Sequence, residues 1–328
     1  MFVRRGSRAR AGVFYRWLFT AAVAGVFCLT AYGGDGLSEL QPRVFITPRA
    51  ETAGVVTSRS AANLRLDVKL ILVPVSVTDA KDRPVTALPQ DVFRLLEDGV
   101  EQKIASFSRE EGPVSLGVLF DASGSMKDRI QASVTALREF FLTVIPGDEF
   151  SLVQFNDQAR LLSGFTPEPE EIFHKLGFVQ PKGRTALLDA IAQGSHQMRL
   201  PNTSRKVLLI LSDGADNKSR YSESEIRRRV LESDLRIYAM GLFHRPRLLQ
   251  QLADETGGKA LVAQNLSELP DIVQKLSSEI RSQYVLGYSS SNPANDGKYH
   301  RVKVELLQTV GAPPFHVSWR RGYYAPGE

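Results

Sequence analysis

The chain has 328 residues, of which 43% are hydrophobic and 23% are charged, a balance typical of globular rather than disordered proteins. Its formal net charge of +5 comes from five arginines in the first 33 residues, because the rest of the chain holds 36 basic and 36 acidic residues. The remainder of the chain therefore gives no electrostatic reason to expect nucleic acid or a membrane surface as a partner.

The first 33 residues have the pattern of a secretory signal peptide. A basic start precedes residues 17–32, which are apolar apart from Thr and Gly, and small residues follow. We predict cleavage near Gly33 and export to the periplasm, the cell envelope or the medium. An uncleaved membrane anchor and lipid attachment at Cys28 are alternatives, although Phe27 stands where lipidation favours a small residue. Cleavage would leave no cysteine and hence no disulfide.

Residues 34–62 are rich in Ser, Thr, Ala, Gly and Arg without a sustained period, and we predict a flexible lead-in there. Residues 63–112 are predicted to form an N-terminal β block. Its first strand alternates apolar and polar residues, with one slip in parity. Pro74 favours an edge position for that strand, because proline has no N–H to donate to a neighbour.

The dipeptide Asp98-Gly99 predicts a hairpin turn within this block. It lies between two alternating runs, residues 92–96 and 102–107, and Asp-Gly is a preferred turn sequence for tight hairpins. We expect residues 102–107 to return as the partner of the preceding strand.

From residue 113 to residue 282, apolar strands alternate with amphipathic helices. Residues 114–120 are a continuous apolar run, as in a strand buried on both faces, and residues 206–211 form the most apolar strand of the chain. Repeated βα units predict an α/β fold with a doubly wound, mostly parallel Rossmann-like sheet and helices on both faces. Residues 283–328 return to β patterns and are predicted to pair with residues 63–112 in a small β-sandwich.

Oxygen-bearing side chains stand where the apolar strands of the α/β segment end. Asp121, Ser123 and Ser125 follow the first strand, Thr185 precedes a helix, and Asp213 follows the most apolar strand. Open α/β sheets bind ligands at this edge, so we predict that the five side chains meet there. They suit a hard cation, Mg²⁺ first and then Mn²⁺ or Ca²⁺, rather than Zn²⁺. Neutral hydroxyl ligands predict an open coordination position for an outside carboxylate.

The spacing Asp-x-Ser-x-Ser from Asp121, the distant Thr185 and the Ser-Asp-Gly run around Asp213 resemble the metal-ion-dependent adhesion site of the von Willebrand factor A domain. The resemblance implies that fold for the α/β segment. It also implies direct coordination by Ser123, Ser125 and Thr185, with Asp121 and Asp213 binding the ion directly or through water.

The resemblance covers residues 113–282, and the flanks resemble those of bacterial exported proteins described as VWFA-related. Residues 72–79, residues 93–99 and the closing Arg-Gly-Tyr-Tyr run at residues 321–324 carry this second resemblance. It is less specific than the first.

Three functions are compatible with these residues. The favoured one is an exported, metal-dependent, adhesion-type module whose metal binds an exposed Asp or Glu of a protein partner. A cell-envelope scaffold with a structural metal is the first alternative. A Mg²⁺-dependent hydrolase is less favoured, because phosphatases with a carboxylate nucleophile carry Asp-x-Asp where this chain has Ser123. The sequence also lacks a Gly-x-Ser-x-Gly elbow and a phosphate-binding loop, so we predict that the protein is not an enzyme.

Overall fold

The structure of the protein, a computed structural model, describes residues 70–201, 203–243, 246–292, 296–307 and 314–325. The predicted signal peptide (1–33) and lead-in (34–62) lie outside these residues. Within the described ranges, no helix combines the length and the apolar character that a bilayer crossing requires.

The described residues form fourteen β-strands and six α-helices. The strands are β1 (Leu70–Thr78), β2 (Phe93–Glu97), β3 (Val100–Gln102), β4 (Ile104–Glu110), β5 (Ser115–Asp121), β6 (Glu149–Phe155), β7 (Ala159–Thr166), β8 (Lys206–Ser212), β9 (Leu235–Leu242), β10 (Ala260–Ala263), β11 (Gln283–Ser289), β12 (Tyr299–Leu306), β13 (His316–Trp319) and β14 (Gly322–Tyr324). The helices are α1 (Ile130–Phe141), α2 (Pro169–Leu176), α3 (Leu187–Gln197), α4 (Glu223–Leu231), α5 (Arg247–Thr256) and α6 (Leu269–Arg281).

A six-stranded sheet in the order β10-β9-β8-β5-β6-β7 forms the centre of the α/β unit. All neighbours in it are parallel except β6 and β7, which are antiparallel. Successive residues of β5 point into two different cores: Val118 packs in the core that contains α1, α2 and α6, and Leu119 packs in the core that contains α3, α4 and α5. The predicted mostly parallel sheet with helices on both faces is therefore confirmed.

The flanks form two antiparallel four-stranded sheets, in the orders β13-β1-β11-β4 and β14-β12-β2-β3. Each sheet combines strands from both ends of the described chain, as in the pairing of β1 with β11 and of β12 with β2. Val75 and Leu286 of the first sheet share one core with Leu95 and Val304 of the second. The predicted sandwich of N- and C-terminal flanks is thus present, because each flank alone has too few strands to bury its apolar face.

Pro74 does not lie on an edge strand, so the expectation drawn from its missing N–H was wrong. β1 lies between β13 and β11 in its sheet. The pairing with β13, however, begins at Val75 and runs to Thr78. Pro74 thus lies one residue outside the segment that pairs with β13. Its missing N–H therefore removes no hydrogen bond to β13.

The predicted return strand at residues 102–107 is in fact two strands in different sheets. The hairpin turn itself is confirmed, since Asp98 and Gly99 both have positive φ values, 48° and 85°, as a type I′ turn requires. β3 ends at Gln102, however, and β4 pairs with β11 in the other sheet. The chain passes from one sheet to the other at Lys103. The alternation of apolar and polar residues indicates a strand but does not indicate which strand it pairs with, so the sequence did not reveal this change.

Candidate metal site

The carboxyl ends of the two central strands carry the two predicted acidic ligands. Asp121 is the last residue of β5, and Asp213 directly follows β8. These strands are parallel neighbours with Phe120 opposite Leu211, so both carboxylates belong to one edge of the sheet. Thr185, two residues before α3 begins, is nearly fully buried with 4% exposure.

Asp121 is fully buried and both of its carboxylate oxygens accept hydrogen bonds. The Ser123 N–H donates to Oδ1 at 2.8 Å, and the Ser212 hydroxyl donates to Oδ2 at 2.6 Å. Burial raises the pKa of Asp121 above the ordinary value of 3.8, and the negative charge of Asp213 raises it further, while the two hydrogen bonds act in the opposite direction. A cation at this position would offset the cost of burying the carboxylate.

The hydroxyl groups connect the two acidic residues. Ser123 Oγ lies 3.0 Å from Ser125 Oγ, and Ser125 Oγ donates to Asp213 Oδ1 at 2.8 Å. Ser125 lies in a short 3-10 turn, Gly124–Met126, and is exposed, whereas Ser123 is buried. Four of the five predicted ligands therefore form one row of hydrogen-bonded residues, in which the exposed Ser125 lies between the buried Ser123 and the buried Asp213.

Thr185 joins this edge through the backbone of its loop. The Lys182 N–H donates to the Ala122 carbonyl at 2.9 Å, and the Gly124 N–H donates to the Gly183 carbonyl at 3.0 Å. These two bonds hold the Thr185 loop directly against the loop that carries the serines. All three ligand-bearing loops therefore meet at one sheet edge.

A third loop fixes Thr185 on its other side. The Thr185 N–H donates to Asn217 Oδ1 at 2.9 Å, and its carbonyl accepts from the Asn217 N–H at 3.0 Å. Asp216, in the same loop as Asn217, accepts from the Leu188 N–H at 3.2 Å in the first turn of α3. Asp216 thus caps a helix, and Asn217 is a supporting residue that no motif predicted.

Gly183 has a conformation that its position requires. Its φ is +77°, and a Cβ atom there would lie 2.2 Å from Asp157 Oδ2. The Asp157 carboxylate in turn accepts from the Arg184 N–H at 3.1 Å. Only glycine therefore lets Asp157 approach and hold the loop that presents Thr185.

Arg129 is a cationic neighbour of the site that the sequence did not predict. It lies just before α1, forms an ion pair with Asp213 Oδ2, and places its guanidinium group 4.7 Å from the ring centre of Phe243. The Asp213 side chain is fully buried, whereas Arg129 is partly exposed. The arginine therefore neutralises one of the two carboxylates with a side chain that has access to solvent.

The donor set fits a hard divalent cation. Two carboxylates and three hydroxyl groups supply only oxygen atoms, the donors that Mg²⁺, Mn²⁺ and Ca²⁺ prefer. In the part of the chain that the structure describes, no group of three or more His, Cys, Asp or Glu side chains is placed to hold a metal ion. The hydroxyl-rich edge is not a group of that kind, because three of its five predicted ligands are Ser and Thr.

The sequence model of the von Willebrand factor type A domain matches residues 116–215, a range that contains all five predicted ligands. A search among curated proteins gave no match.

Several solved structures are similar to the chain at low sequence identity. A von Willebrand factor type A protein from Catenulispora acidiphila is 12% identical with a TM-score of 0.47, and the match covers 80% of this chain and 74% of that chain. The vWF domain of a type V pili tip protein from Porphyromonas gingivalis is 12% identical with a TM-score of 0.45, covering 52% and 95%. The conserved hypothetical protein BatB from Bacteroides thetaiotaomicron is 16% identical with a TM-score of 0.42, covering 51% and 98%.

Proposed function

Because the chain contains a von Willebrand factor type A domain, we propose that it is an exported, adhesion-type protein-binding module that depends on a divalent metal ion. Asp121, Ser123, Ser125, Thr185 and Asp213 would hold Mg²⁺, or else Mn²⁺ or Ca²⁺. The bound ion would supply an open coordination position for the carboxylate of an exposed Asp or Glu of the partner protein.

The row of hydrogen-bonded residues from Asp121 through Ser123 and Ser125 to Asp213 supports this function most directly. Both of its ends are buried carboxylates, and the exposed residue Ser125 lies within it. A cation bound along such a row is held from inside the protein while one side faces solvent. This is the arrangement that a ligand from another molecule requires.

The chemistry of the donors explains why a partner carboxylate would be the ligand. Serine and threonine hydroxyls are neutral and donate weakly, so they leave most of the charge on a bound cation. One of the two carboxylates, Asp213, already carries an ion pair with Arg129. The site therefore supplies less negative charge than its two aspartates suggest, and an anionic group from outside completes it.

Separate features of the chain support a protein partner and an extracytoplasmic location. Von Willebrand factor A domains generally mediate protein–protein interaction. The balance of 36 basic and 36 acidic residues outside the first 33 gives no support for nucleic acid as the partner. The signal-like pattern of residues 1–33 supports export, and an uncleaved form of this segment is the one route to membrane attachment that we propose.

Metal binding is tested first with the metal alone, by calorimetric titration of the purified protein with MgCl₂ and MnCl₂. Replacing a hydrogen-bonded outer residue of a metal site typically costs about 10–100-fold in affinity, so Asp121→Asn should weaken binding at least about 100-fold. Asp128→Asn is the matched control, because Asp128 is exposed on the same loop and loses the same charge. Equal affinities for the two variants would contradict the proposal.

Partner binding is tested by affinity capture from an envelope extract with immobilised protein, in Mg²⁺ and in EDTA. A true partner should be retained in Mg²⁺ and released both by EDTA and by Asp121→Asn, and changing one exposed Asp or Glu of that partner to Asn or Gln should abolish retention. Retention that survives chelation, together with a fall in the melting temperature, would favour a scaffold with a structural metal. Phosphatase assays on the same preparation test the hydrolase alternative.

A further inference from the structure

Two buried arginines lie at the amino edge of the central sheet, the edge opposite the candidate metal site. Arg205 immediately precedes β8, and Arg236 is the second residue of β9, where it pairs with Val207. Arg205 and Arg236 are 7% and 8% exposed. Arg205, Val207 and Arg236 lie on the same face of the sheet, so the two guanidinium groups project into one region beneath the end of α6.

The hydrogen-bond acceptors of both arginines are neutral. Arg205 donates to the carbonyl of Gly112 and, at 2.5 Å, to the carbonyl of Ile280. Arg236 donates to Gln283 Oε1 at 2.5 Å and, more weakly, to the Ser76 hydroxyl at 3.4 Å. None of these acceptors carries a charge, so the hydrogen bonds orient the guanidinium groups without neutralising them.

Several guanidinium donors remain without a partner. Among the described residues, Nε of Arg205 and both Nε and Nη2 of Arg236 are buried and make no hydrogen bond. Arg281 adds a buried Nε and Nη1, although its Nη2 contacts Asp148 Oδ2 at 2.8 Å. Burial lowers the pKa of Arg205, the negative charge of Glu110 acts in the opposite direction, and the positive charges of Arg236 and Arg281 lower the pKa further, so the three arginines share one neighbourhood.

The carboxylates near these arginines belong to Glu110, Asp148 and Glu279, and Oε1 of Glu279 is itself buried without a hydrogen-bond partner among the described residues. Asp148 is paired with Arg281, and Glu279 lies 3.6 Å from Lys259. Across the described ranges, no carboxylate oxygen comes within 4.0 Å of either Arg205 or Arg236. Arginine keeps its charge in proteins, and a buried charge without a counter-ion is costly. In the described part of this region, Nε of Arg205 and both Nε and Nη2 of Arg236 thus remain buried N–H donors without an acceptor.

We propose that a small monovalent anion such as chloride binds between Arg205 and Arg236 and accepts their free N–H groups. The acceptors that already orient these arginines come from both parts of the fold: Ile280 lies in the last turn of α6 in the α/β unit, whereas Ser76 and Gln283 belong to the sandwich sheet. The anion thus joins the α/β unit to the sandwich at the point where the chain passes between them.

Thermal unfolding of the whole protein in sodium chloride and in sodium gluconate, at equal ionic strength, tests the proposal. Chloride should raise the melting temperature of the wild type by about 2–4 °C relative to gluconate, since a ligand that binds only the folded state stabilises it. Arg236→Met should abolish this difference. Arg227→Met is the matched control and should retain it, because Arg227 is paired with Glu255 on the surface.

A crystal of the wild-type protein grown with sodium bromide gives a second readout that does not depend on any variant folding. An anomalous peak between the guanidinium groups of Arg205 and Arg236 is the expected result. Equal melting temperatures in the two salts, or a bromide-free site filled only by water, would overturn the proposal.

Discussion

The two edges of the central sheet both bury charge, but the charges have opposite sign. At the carboxyl edge, Asp121 and Asp213 lie among hydroxyl groups, and the burial of Asp121 raises its pKa. At the amino edge, Arg205 and Arg236 lie among carbonyl and amide oxygens. Neutral groups orient Asp121 at the first edge and Arg236 at the second without neutralising their charges. We therefore propose an ion of the opposite sign at each edge.

The edges differ in their access to solvent, and this separates their roles. The carboxyl edge ends in loops and includes the exposed Ser125, so a ligand from another protein can reach it. The amino edge is covered by the sandwich, to which Ser76 and Gln283 belong. We therefore propose that the carboxyl edge recognises a partner protein and that the amino edge holds the α/β unit and the sandwich together.

The largest effect on the carboxyl edge is expected from Gly183→Ala. A methyl group there would meet the Asp157 carboxylate, and φ of +77° is unfavourable for alanine. We expect a loss of about 1–3 kcal/mol in the free energy of unfolding and weaker Mg²⁺ binding, measured by urea unfolding and calorimetric titration. Gly164→Ala, where a methyl group meets nothing within 4 Å, should change stability by less than about 0.5 kcal/mol. Unchanged Mg²⁺ affinity in Gly183→Ala would show that the Thr185 loop does not contribute to metal binding.

Arg129→Gln should change the same site in the opposite direction. The substitution removes the cation that pairs with Asp213, so the carboxylate becomes free to attract the metal ion. We expect Mg²⁺ to bind about tenfold more tightly, equivalent to about 1.4 kcal/mol. Lys127→Gln removes the same charge from an exposed position on the neighbouring turn and should have a much smaller effect. Weaker binding in Arg129→Gln would mean that the arginine supports the site rather than competing for it.

The smallest effect concerns the protein without metal. The pKa of Asp121 is higher in the folded state than its unfolded-state value near 3.8. Asp121 therefore contributes to the free energy of unfolding at pH values below its unfolded-state pKa, and this contribution is lost as pH rises through its folded-state pKa. In EDTA at neutral pH, Asp121→Asn should therefore be more stable than the wild type by about 1 kcal/mol, and acidification should remove the difference. Denaturant unfolding at several pH values measures this. A wild type that is the more stable of the two at neutral pH would show that Asp121 is well accommodated without a cation.

Signals local in sequence predicted most of the fold. The Asp98-Gly99 turn has the positive φ angles that its residues favour, and Ser222 with Glu225 forms a capping box at α4, a pattern that three consecutive sequence positions after Ser222 suffice to specify. Gly257 ends α5 in the left-handed conformation. These features depend on a few neighbouring residues, so the sequence contains all the information that they need.

Features that depend on distant partners were not predictable in the same way. Pro74 is compatible with an interior strand because its neighbour ends at Val75, which only the register reveals. Arg129 carries no motif, and its contact with Asp213 joins residues 84 positions apart. The assignment of the five ligands is still a prediction, although the loops that carry them meet at one edge.

A crystal structure of the protein with Mn²⁺ bound tests the central claim most directly, because anomalous scattering locates the ion without assumptions about its ligands. We predict one ion at the carboxyl edge, with the hydroxyl oxygens of Ser123, Ser125 and Thr185 in its coordination sphere and Asp121 and Asp213 binding it directly or through water. An ion bound elsewhere, or bound at this edge without those hydroxyl groups, would contradict the account.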